Sequence, residues 1–237
     1  MKFKATNLYK YIKKTYNVID DFINYRLRKP LIEELKTTLL REVDTDDIND
    51  VTIISSNCFA GRIMQDFNMQ YNSPTLGLYF MAPDYIEFLS NLKYYLYEAK
   101  LKFVEHSKYS LGNQRRKKSI HWYPIGILGD KVEIHFLHYY SEKEAAEKWY
   151  RRTSRVNLRN LFIVGMEQNL CSTQNIIDFN QLPYKNKIFF STKQLNLKSN
   201  EFIKEFRNNS EVGDPYKKGH LFYRHLIRHF QNQENSI

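Results

Sequence analysis

The stretch Val51-Thr-Ile-Ile-Ser-Ser-Asn-Cys58, followed by helix-forming residues at 60–67, decides the fold class. Its β-branched part, 51–55, is short and continuously apolar, which is typical of a strand in a buried parallel sheet. A strand that leads through a polar turn into a helix opens an α/β unit. The stretch therefore predicts a sheet combined with helices.

The same alternation continues along the chain. Apolar, β-branched runs predict strands at 75–80, 101–104, 120–128, 132–139, 161–164 and 187–191. Helical spacing predicts helices at 83–97, 145–152, 176–181, 201–208 and 217–231. Gly129-Asp130 predicts a hairpin turn, and the basic stretch 112–118 is interpreted as a loop. We therefore expect a three-layer α/β fold, with a mainly parallel or mixed sheet and helices on both faces.

The N-terminal region differs from this core. Apolar residues spaced by three and four predict a helix at 6–28, and Pro30 begins a second helix at 31–40. The first 30 residues contain eight Lys or Arg and two Asp. Two interpretations of these basic helices stay open, a cap on the domain and contact with a membrane surface. At 237 residues we expect one α/β domain, with a helical cap over 1–45 and C-terminal helices over 199–237.

The charge of the chain indicates anionic partners. A net charge of +10 attracts nucleic acid, nucleotide-sugars or an anionic membrane face, although a Lys-rich composition alone gives the same charge. Cys58 and Cys171 stand far apart, which argues against a disulfide framework and a Cys-rich zinc site. The first residues lack the apolar core of a signal peptide, and no stretch has about 20 apolar residues, so we expect a cytoplasmic protein.

The first candidate site is the turn after the strand at 51–55. Ligands of open α/β sheets bind where strands end and helices begin. Ser55, Ser56 and Asn57 are suited to a hydroxyl- or phosphate-bearing ligand, or they simply cap the next helix. Cys58 is a candidate nucleophile at a helix N-terminus, or a small buried apolar residue. The turn lacks the glycines of a Rossmann or P-loop motif.

The second candidate site is Val132-Glu-Ile-His-Phe-Leu-His-Tyr139. Side chains alternate across a strand, so His135 and His138 should point to opposite faces, which argues against a shared metal. His138 and Tyr139 end the strand directly before a capping box at Ser141, where a general acid or base would lie. His135 is expected to be either a core histidine or a ligand-binding residue.

Other stretches add weaker candidates. Arg151 and Arg152 can hold phosphate or carboxylate, or complement the end of their helix. Asn72 and Ser73 can bind ligand hydroxyl groups. His225 and His229 have a metal-capable spacing, but their apolar neighbours indicate a docking helix, and we predict no metal and no cofactor.

Several motifs together resemble one bacterial family of unknown function, whose members are often described as exopolysaccharide or capsular polysaccharide biosynthesis proteins. The motifs lie at 54–58, 71–75, 123–126, 133–139, 141–145, 149–152 and 182–187, and the resemblance covers about 50–192. Phe59-Ala60 departs from the Trp-Gly type of pair expected there. The resemblance implies a cytoplasmic protein that acts around surface-glycan assembly, and it supplies no catalytic mechanism.

These observations favour a metal-independent transferase that acts on a sugar or sugar-phosphate ligand, for example a nucleotide-sugar. His138 and Cys58 are its predicted catalytic residues. The predicted ligand-binding residues are Ser55, Ser56, Asn57, Asn72, Ser73, His135, Tyr139, Arg151 and Arg152. Two alternatives are a nucleic-acid-binding module, which lacks a recognisable motif, and a non-catalytic partner of membrane-bound glycan machinery.

Overall fold

A computed structural model describes the backbone of residues 2–234 and the side chains of residue 19 and of residues 22–231. Its contacts define two compact units. One comprises the chain up to Thr38 together with the chain from Gly213 onward, and the other comprises Leu39–Val212. The sheets and every predicted site residue lie in the second unit, whereas the prediction of a single domain stays a prediction.

The first sheet of this unit is parallel throughout. It has four strands in the order β1-β5-β6-β7. They are β1 (Thr52–Ser55), β5 (Leu161–Met166), β6 (Lys187–Ser191) and β7 (Asn200–Phe202). All residues of β1 and β5 are buried, as their continuous apolar sequences predict. The carboxyl ends of these strands therefore lie at one edge of the sheet.

A second, antiparallel sheet is formed by the segment between β1 and β5. It has three strands in the order β2-β3-β4, namely β2 (Leu101–Val104), β3 (Ile125–Leu128) and β4 (Val132–His135). Gly129 and Asp130 join β3 to β4 with positive φ angles of 56° and 59°, as a primed hairpin turn requires. The sequence predicted this hairpin correctly, but it did not predict that the strands divide between two sheets.

Helices connect and flank the strands. They are α1 (Lys2–Val43), α2 (Phe59–Asp66), α3 (Ala82–Ser90), α4 (Leu92–Tyr97), α5 (Ser110–Lys118), α6 (Glu142–Thr153), α7 (Thr173–Gln181) and α8 (Gly219–Glu234). Ser141 caps α6 by accepting a hydrogen bond from the Glu144 amide, as the capping box predicts. The α/β fold class is thus confirmed.

Several predicted elements differ from the structure. The helix predicted over 83–97 is divided at Asn91 into α3 and α4, and the strand predicted over 120–128 begins only at Ile125. Residues 75–80 form a turn and one isolated bridge at Tyr79, and the strand predicted over 132–139 ends at His135. Residues 201–208 contribute to β7 and a short 3-10 turn, because β6 offers them an unpaired edge. The basic stretch 112–118 is helical. Gly112 allows that helix to pack closely, since a Cβ there would lie 2.6 Å from His135 Cε1.

Only part of the prediction for the N-terminal region can be compared with the described residues. Where the sequence predicts two helices divided at Pro30, the backbone forms the single helix α1 with Pro30 inside it. Most of the basic side chains that motivate a cap or a membrane contact precede residue 19 and lie outside the described residues. Within the described part of the chain, no helix is both long and apolar enough to cross a bilayer.

The core of the second unit depends on one close approach between β5 and β6. A Cβ on Gly165 would lie 2.2 Å from Cδ2 of Phe189, so only glycine leaves room for this ring. Phe189 in turn packs edge-on against Phe179 of α7, at 5.0 Å between ring centroids. The absence of a side chain in the middle of β5 therefore lets an aromatic pair attach α7 to the sheet.

We expect Gly165→Ala to lower the free energy of unfolding by about 1–3 kcal/mol, because the new methyl group overlaps the Phe189 ring. Urea unfolding followed by circular dichroism measures this loss. Phe189→Leu removes the ring and serves as the matched partner in a double-mutant cycle. The double variant should lose less than the sum of the single losses, and simple additivity would show that the contact is not responsible.

Candidate active site

The backbone of residues 76–80 lies at the centre of the candidate site. Phe80 N donates to Ser56 O at 2.9 Å, which attaches the segment to the end of β1. Tyr79 and His135 exchange two backbone hydrogen bonds of 3.0 Å, and His138 N donates to Gly77 O at 2.9 Å. The segment therefore connects the two strand ends that the sequence identified separately.

The turn after β1 uses its polar groups mainly to begin α2. Ser55 Oγ accepts from Ala60 N at 3.0 Å, and Asn57 Oδ1 accepts from Phe59 N at 3.0 Å. Asn57 Nδ2 donates to Gln168 Oε1 at 2.8 Å, beyond the end of β5. Ser55, Ser56 and Asn57 are all buried. The capping interpretation thus accounts for Ser55 and Asn57, and their ligand-binding role stays a prediction.

Cys58 is more accessible than the rest of this turn. Its side chain is partly exposed, and Sγ donates to Leu78 O at 3.7 Å. Next to Leu78, Gly77 has a φ of +73°, and a Cβ there would lie 3.2 Å from Tyr139 Cε2 and 3.4 Å from His138 Cβ. Gly77 therefore allows residues after β4 to approach the segment that Cys58 contacts.

His138 lies beyond the end of β4, and part of its side chain is exposed to solvent. The backbone turns after His135, because Leu137 N donates to His135 O and Tyr139 N donates to Phe136 O. The regular alternation used to assign faces to His138 and Tyr139 therefore stops at His135. Partial burial, with the nearby His121, lowers the pKa of His138 below its ordinary value. More of its imidazole is then neutral at neutral pH.

Tyr139 and Arg152 form a buried pair on the other side of Gly77. Arg152 Nη1 donates to the Tyr139 hydroxyl and, at 3.1 Å, to Leu76 O. Arg152 is 9% exposed, and its Nε is buried without a hydrogen-bond partner. Among the described residues, no carboxylate lies within ion-pair distance of this guanidinium. Burial raises the pKa of Tyr139 despite the opposing effect of Arg152, so the phenol is neutral.

Further cations lie near Arg152, one on α6 and one just after it. Lys148 precedes Arg152 by four residues, and its Nζ lies 5.3 Å from the centroid of the Tyr139 ring. Arg155 Nη1 donates to Tyr71 O at 3.3 Å, and the Arg152 guanidinium lies 5.8 Å from the Tyr71 ring. Glu144 offsets part of this charge through its pair with Lys148 at 2.5 Å. The result is a basic site beneath the partly exposed ring of Tyr71.

His135 belongs to a separate, fully buried network. Its Nε2 lies 2.8 Å from Glu133 Oε1, and its ring stacks on Tyr79 at 4.4 Å between centroids. Ser107 Oγ donates to Glu133 Oε1, and Lys108 N donates to Glu133 Oε2 at 2.8 Å. Both His135 and Glu133 have no exposed surface. Glu133 and His135 share a face of β4, as alternation predicts.

Burial alone would raise the pKa of Glu133, but the contacts with His135, Ser107 and the Lys108 amide outweigh it. The pKa of Glu133 consequently lies below its ordinary value. His135 Nδ1 has no hydrogen-bond partner in the described part of the chain. This arrangement stabilises the turn at Ser107 rather than presenting a reactive group to solvent.

The remaining predicted residues have diverse surroundings. Asn72 and Ser73 are buried, where Asn72 Nδ2 donates to Val51 O at 2.8 Å and Ser73 Oγ lies 3.1 Å from Thr75 Oγ1. Arg151 is exposed. The structure thus brings Cys58, His138, Tyr139 and Arg152 together around residues 76–78. Asn72 and Ser73 make contacts that hold loops together.

Sequence reasoning missed three contributors, Gly77, Tyr71 and Lys148. The four-residue spacing between Lys148 and Arg152 was a usable signal, since such residues share a helix face. The roles of Gly77 and Tyr71 had no local signal, because both depend on residues more than 60 positions away.

A cavity of about 250 Å³ lies elsewhere, at the amino-terminal ends of β5 and β6. Its lining includes Leu158, Arg159, Tyr184 and Lys185, and none of the predicted site residues. Among the residues that the structure describes, no three His, Cys, Asp or Glu side chains are grouped so as to hold a metal ion.

Comparison with known proteins gives the family. A family profile described as "Domain of unknown function (DUF1919)" matches residues 28–234. The chain belongs to the DUF1919 family. An uncharacterized protein of Haemophilus influenzae is 39% identical over 168 residues, which cover 70% of this chain and 74% of that protein. The DUF1919 match agrees with the expected family of unknown function, but neither description mentions exopolysaccharide synthesis.

The Glu133 network predicts a pH-dependent stability. Because the pKa of folded Glu133 lies below 4.5, its ionised form stabilises the protein above that pH. This contribution is lost as the pH falls through the folded pKa. Glu133→Gln should cost roughly 3 kcal/mol at neutral pH, because it breaks a buried pair, and less in acid. Urea unfolding over this pH range measures both effects.

The matched control is Glu87→Gln, which breaks the pair of Glu87 with Lys131 at 2.7 Å. This carboxylate is partly solvent-exposed, so its loss should cost less than about 1 kcal/mol. Equal losses for the two variants would contradict the importance of the buried network.

Proposed function

We propose that this protein is a metal-independent transferase that binds a sugar phosphate beside Arg152. The observation that carries the proposal is the buried guanidinium, which has an unpartnered Nε and no carboxylate at ion-pair distance among the described residues. Leaving a buried charge without a counterion is costly, so an anionic ligand is a natural complement. Guanidinium groups match phosphate oxygens in pairs.

The surroundings favour phosphate over a smaller anion. Lys148, at the Tyr139 ring, and Arg155, at the Tyr71 carbonyl oxygen, place further positive charge near Arg152. Tyr71 is 39% exposed and its ring lies 5.8 Å from the Arg152 guanidinium, so this side chain lies between Arg152 and solvent and would contact a ligand bound there. The aromatic ring of Tyr71 also suits the apolar face of a sugar.

His138 is the proposed general base. Its lowered pKa favours the neutral imidazole, which can accept a proton from an acceptor hydroxyl group. The hydroxyl oxygen would then attack the anomeric carbon, the bond from that carbon to the phosphate oxygen would break, and the phosphate would leave while paired with Arg152. Charge that develops on the leaving group would thus meet a prearranged cation.

Cys58 is the alternative reacting group of the same site. Cys58 precedes α2 directly and is partly exposed, and its Sγ contacts the segment that approaches His138 and Tyr139. A covalent route would require Cys58, whereas direct transfer would require only His138. Their single variants separate the two routes.

Substitution of Arg152 tests the anion site. Binding of inorganic phosphate and glucose 1-phosphate, followed by calorimetry, should weaken on the order of a hundredfold in Arg152→Met, as loss of a charged hydrogen-bonding partner costs about 2–3 kcal/mol. Arg207→Met is the matched control, because Arg207 is an exposed arginine far along the chain, after β7. It should leave binding unchanged.

Transfer is tested with a panel of nucleotide-sugars, by measuring release of the nucleotide. His138→Gln should lower turnover with little change in phosphate binding. Cys58→Ser should lower turnover only if transfer follows the covalent route. Phosphate binding that is equal in Arg152→Met and Arg207→Met, with the fold intact by circular dichroism, would overturn the proposal.

A further inference from the structure

A second surface of the same unit combines exposed apolar side chains with positive charge. We name it the basic aromatic patch, and it consists of Lys117, Lys118, Ile120, Trp122 and Tyr140. Ile120 is fully exposed, Trp122 is 51% exposed and Tyr140 is 72% exposed. Large apolar residues grouped on a surface indicate an interaction site, whereas single ones need no explanation.

Contacts around His121 hold the patch together. His121 Nε2 lies 3.0 Å from Leu137 O, and its ring lies 4.7 Å from that of Tyr140. These contacts bring the segment after α5 next to the segment after β4. Ile120, Trp122 and Tyr140 therefore belong to one region of the surface, although 140 is distant from 120 in sequence.

The charge of the patch comes from the end of α5, which consists of four consecutive cations. Arg115 donates to Asn169 and is directed inward, while Arg116 lies 4.6 Å from the Trp122 ring. Lys117 and Lys118 are exposed. Two acidic residues make contacts next to the patch. The backbone carbonyl oxygen of Glu105 accepts from Arg116, and the Glu144 carboxylate, which pairs with Lys148, accepts from Tyr140 N at 2.9 Å.

We propose that the basic aromatic patch binds the surface of an anionic lipid bilayer. Trp and Tyr favour the headgroup region, where one end of the ring is apolar and the other is hydrated. An exposed isoleucine gains free energy by entering the acyl boundary, and flanking lysines are attracted to anionic headgroups. Apolar and basic groups side by side form the pattern of an interfacial contact.

A single-stranded nucleic acid would use the patch less well. Bases stack on free aromatic faces, but Arg116 lies over one face of Trp122 and His121 lies against Tyr140. Ile120 has no aromatic face, so its full exposure would remain unexplained. The residues of the patch belong neither to the proposed transferase site nor to the basic residues of α1.

Tryptophan fluorescence provides a local reporter, because the chain has two Trp and the other one, Trp149, is buried at 1% exposure. The full-length protein is mixed with vesicles of phosphatidylcholine and phosphatidylglycerol in equal parts, or of phosphatidylcholine alone. We expect the emission to shift to shorter wavelength with the anionic vesicles only. The shift should diminish with added salt, since salt screens the attraction.

Variants that retain Trp122 assign the contact to the patch. Lys117→Gln and Lys118→Gln should each weaken vesicle binding about fivefold, and Ile120→Ser should weaken it further. The matched control is Lys93→Gln with Tyr97→Ala, which removes one exposed lysine and one exposed tyrosine from α4. This control should bind like the unaltered protein.

Three results would overturn the proposal. The first is vesicle binding without a change in Trp122 emission, which would assign the contact to another surface, such as α1. The second is equal binding by the patch variants and the control. The third is a change in Trp122 emission that is larger with single-stranded oligonucleotides than with anionic vesicles and that disappears in the patch variants.

Discussion

The backbone of residues 76–80 lies where water is largely excluded, so its polar groups must find partners within the protein. It finds them at both strand ends, through Ser56 on one side and through His135 and His138 on the other. The remaining carbonyl oxygens are used by side chains, since Leu76 O accepts from Arg152 and Leu78 O accepts from Cys58. The hydrogen bonds that this one segment requires thus bring the residues of the candidate site together.

Two buried polar clusters lie beside this segment, and they differ in whether the charge at their centre has an oppositely charged partner. In the first, Glu133 accepts from Ser107 and Lys108 and pairs with His135. In the second, Arg152 has an unpartnered Nε and, among the described residues, no carboxylate within ion-pair distance. A buried carboxylate with several partners stabilises a loop, whereas a buried cation with an unused donor is prepared to meet an anion. This difference is why Arg152 rather than His135 is central to the proposed function.

Local patterns predicted those parts of the protein that depend on near neighbours. The β-branched run 52–55, the Gly129-Asp130 turn and the Ser141 cap each carry their own geometric preference, and all three formed as expected. The strand predicted over 75–80 and the loop predicted over 112–118 did not form, because contacts with distant residues override the local structural preference of these stretches. Gly112, for instance, is helical where it must pass close to Ser107 and His135. The strand predicted over 132–139 ends at His135. The faces assigned to His138 and Tyr139 from strand alternation were therefore wrong.

The sequence by itself determined the α/β class, the presence of polar residues after β1 and β4, and the family. It could do so because hydrophobic periodicity and turn chemistry are local properties. Only the tertiary structure decided that Cys58, His138, Tyr139 and Arg152 meet at Gly77, and that Ser55, Asn57 and Asn72 are engaged in the protein's own hydrogen bonds. The physical reason is that hydrogen bonding and burial of these groups depend on segments brought together from distant parts of the chain.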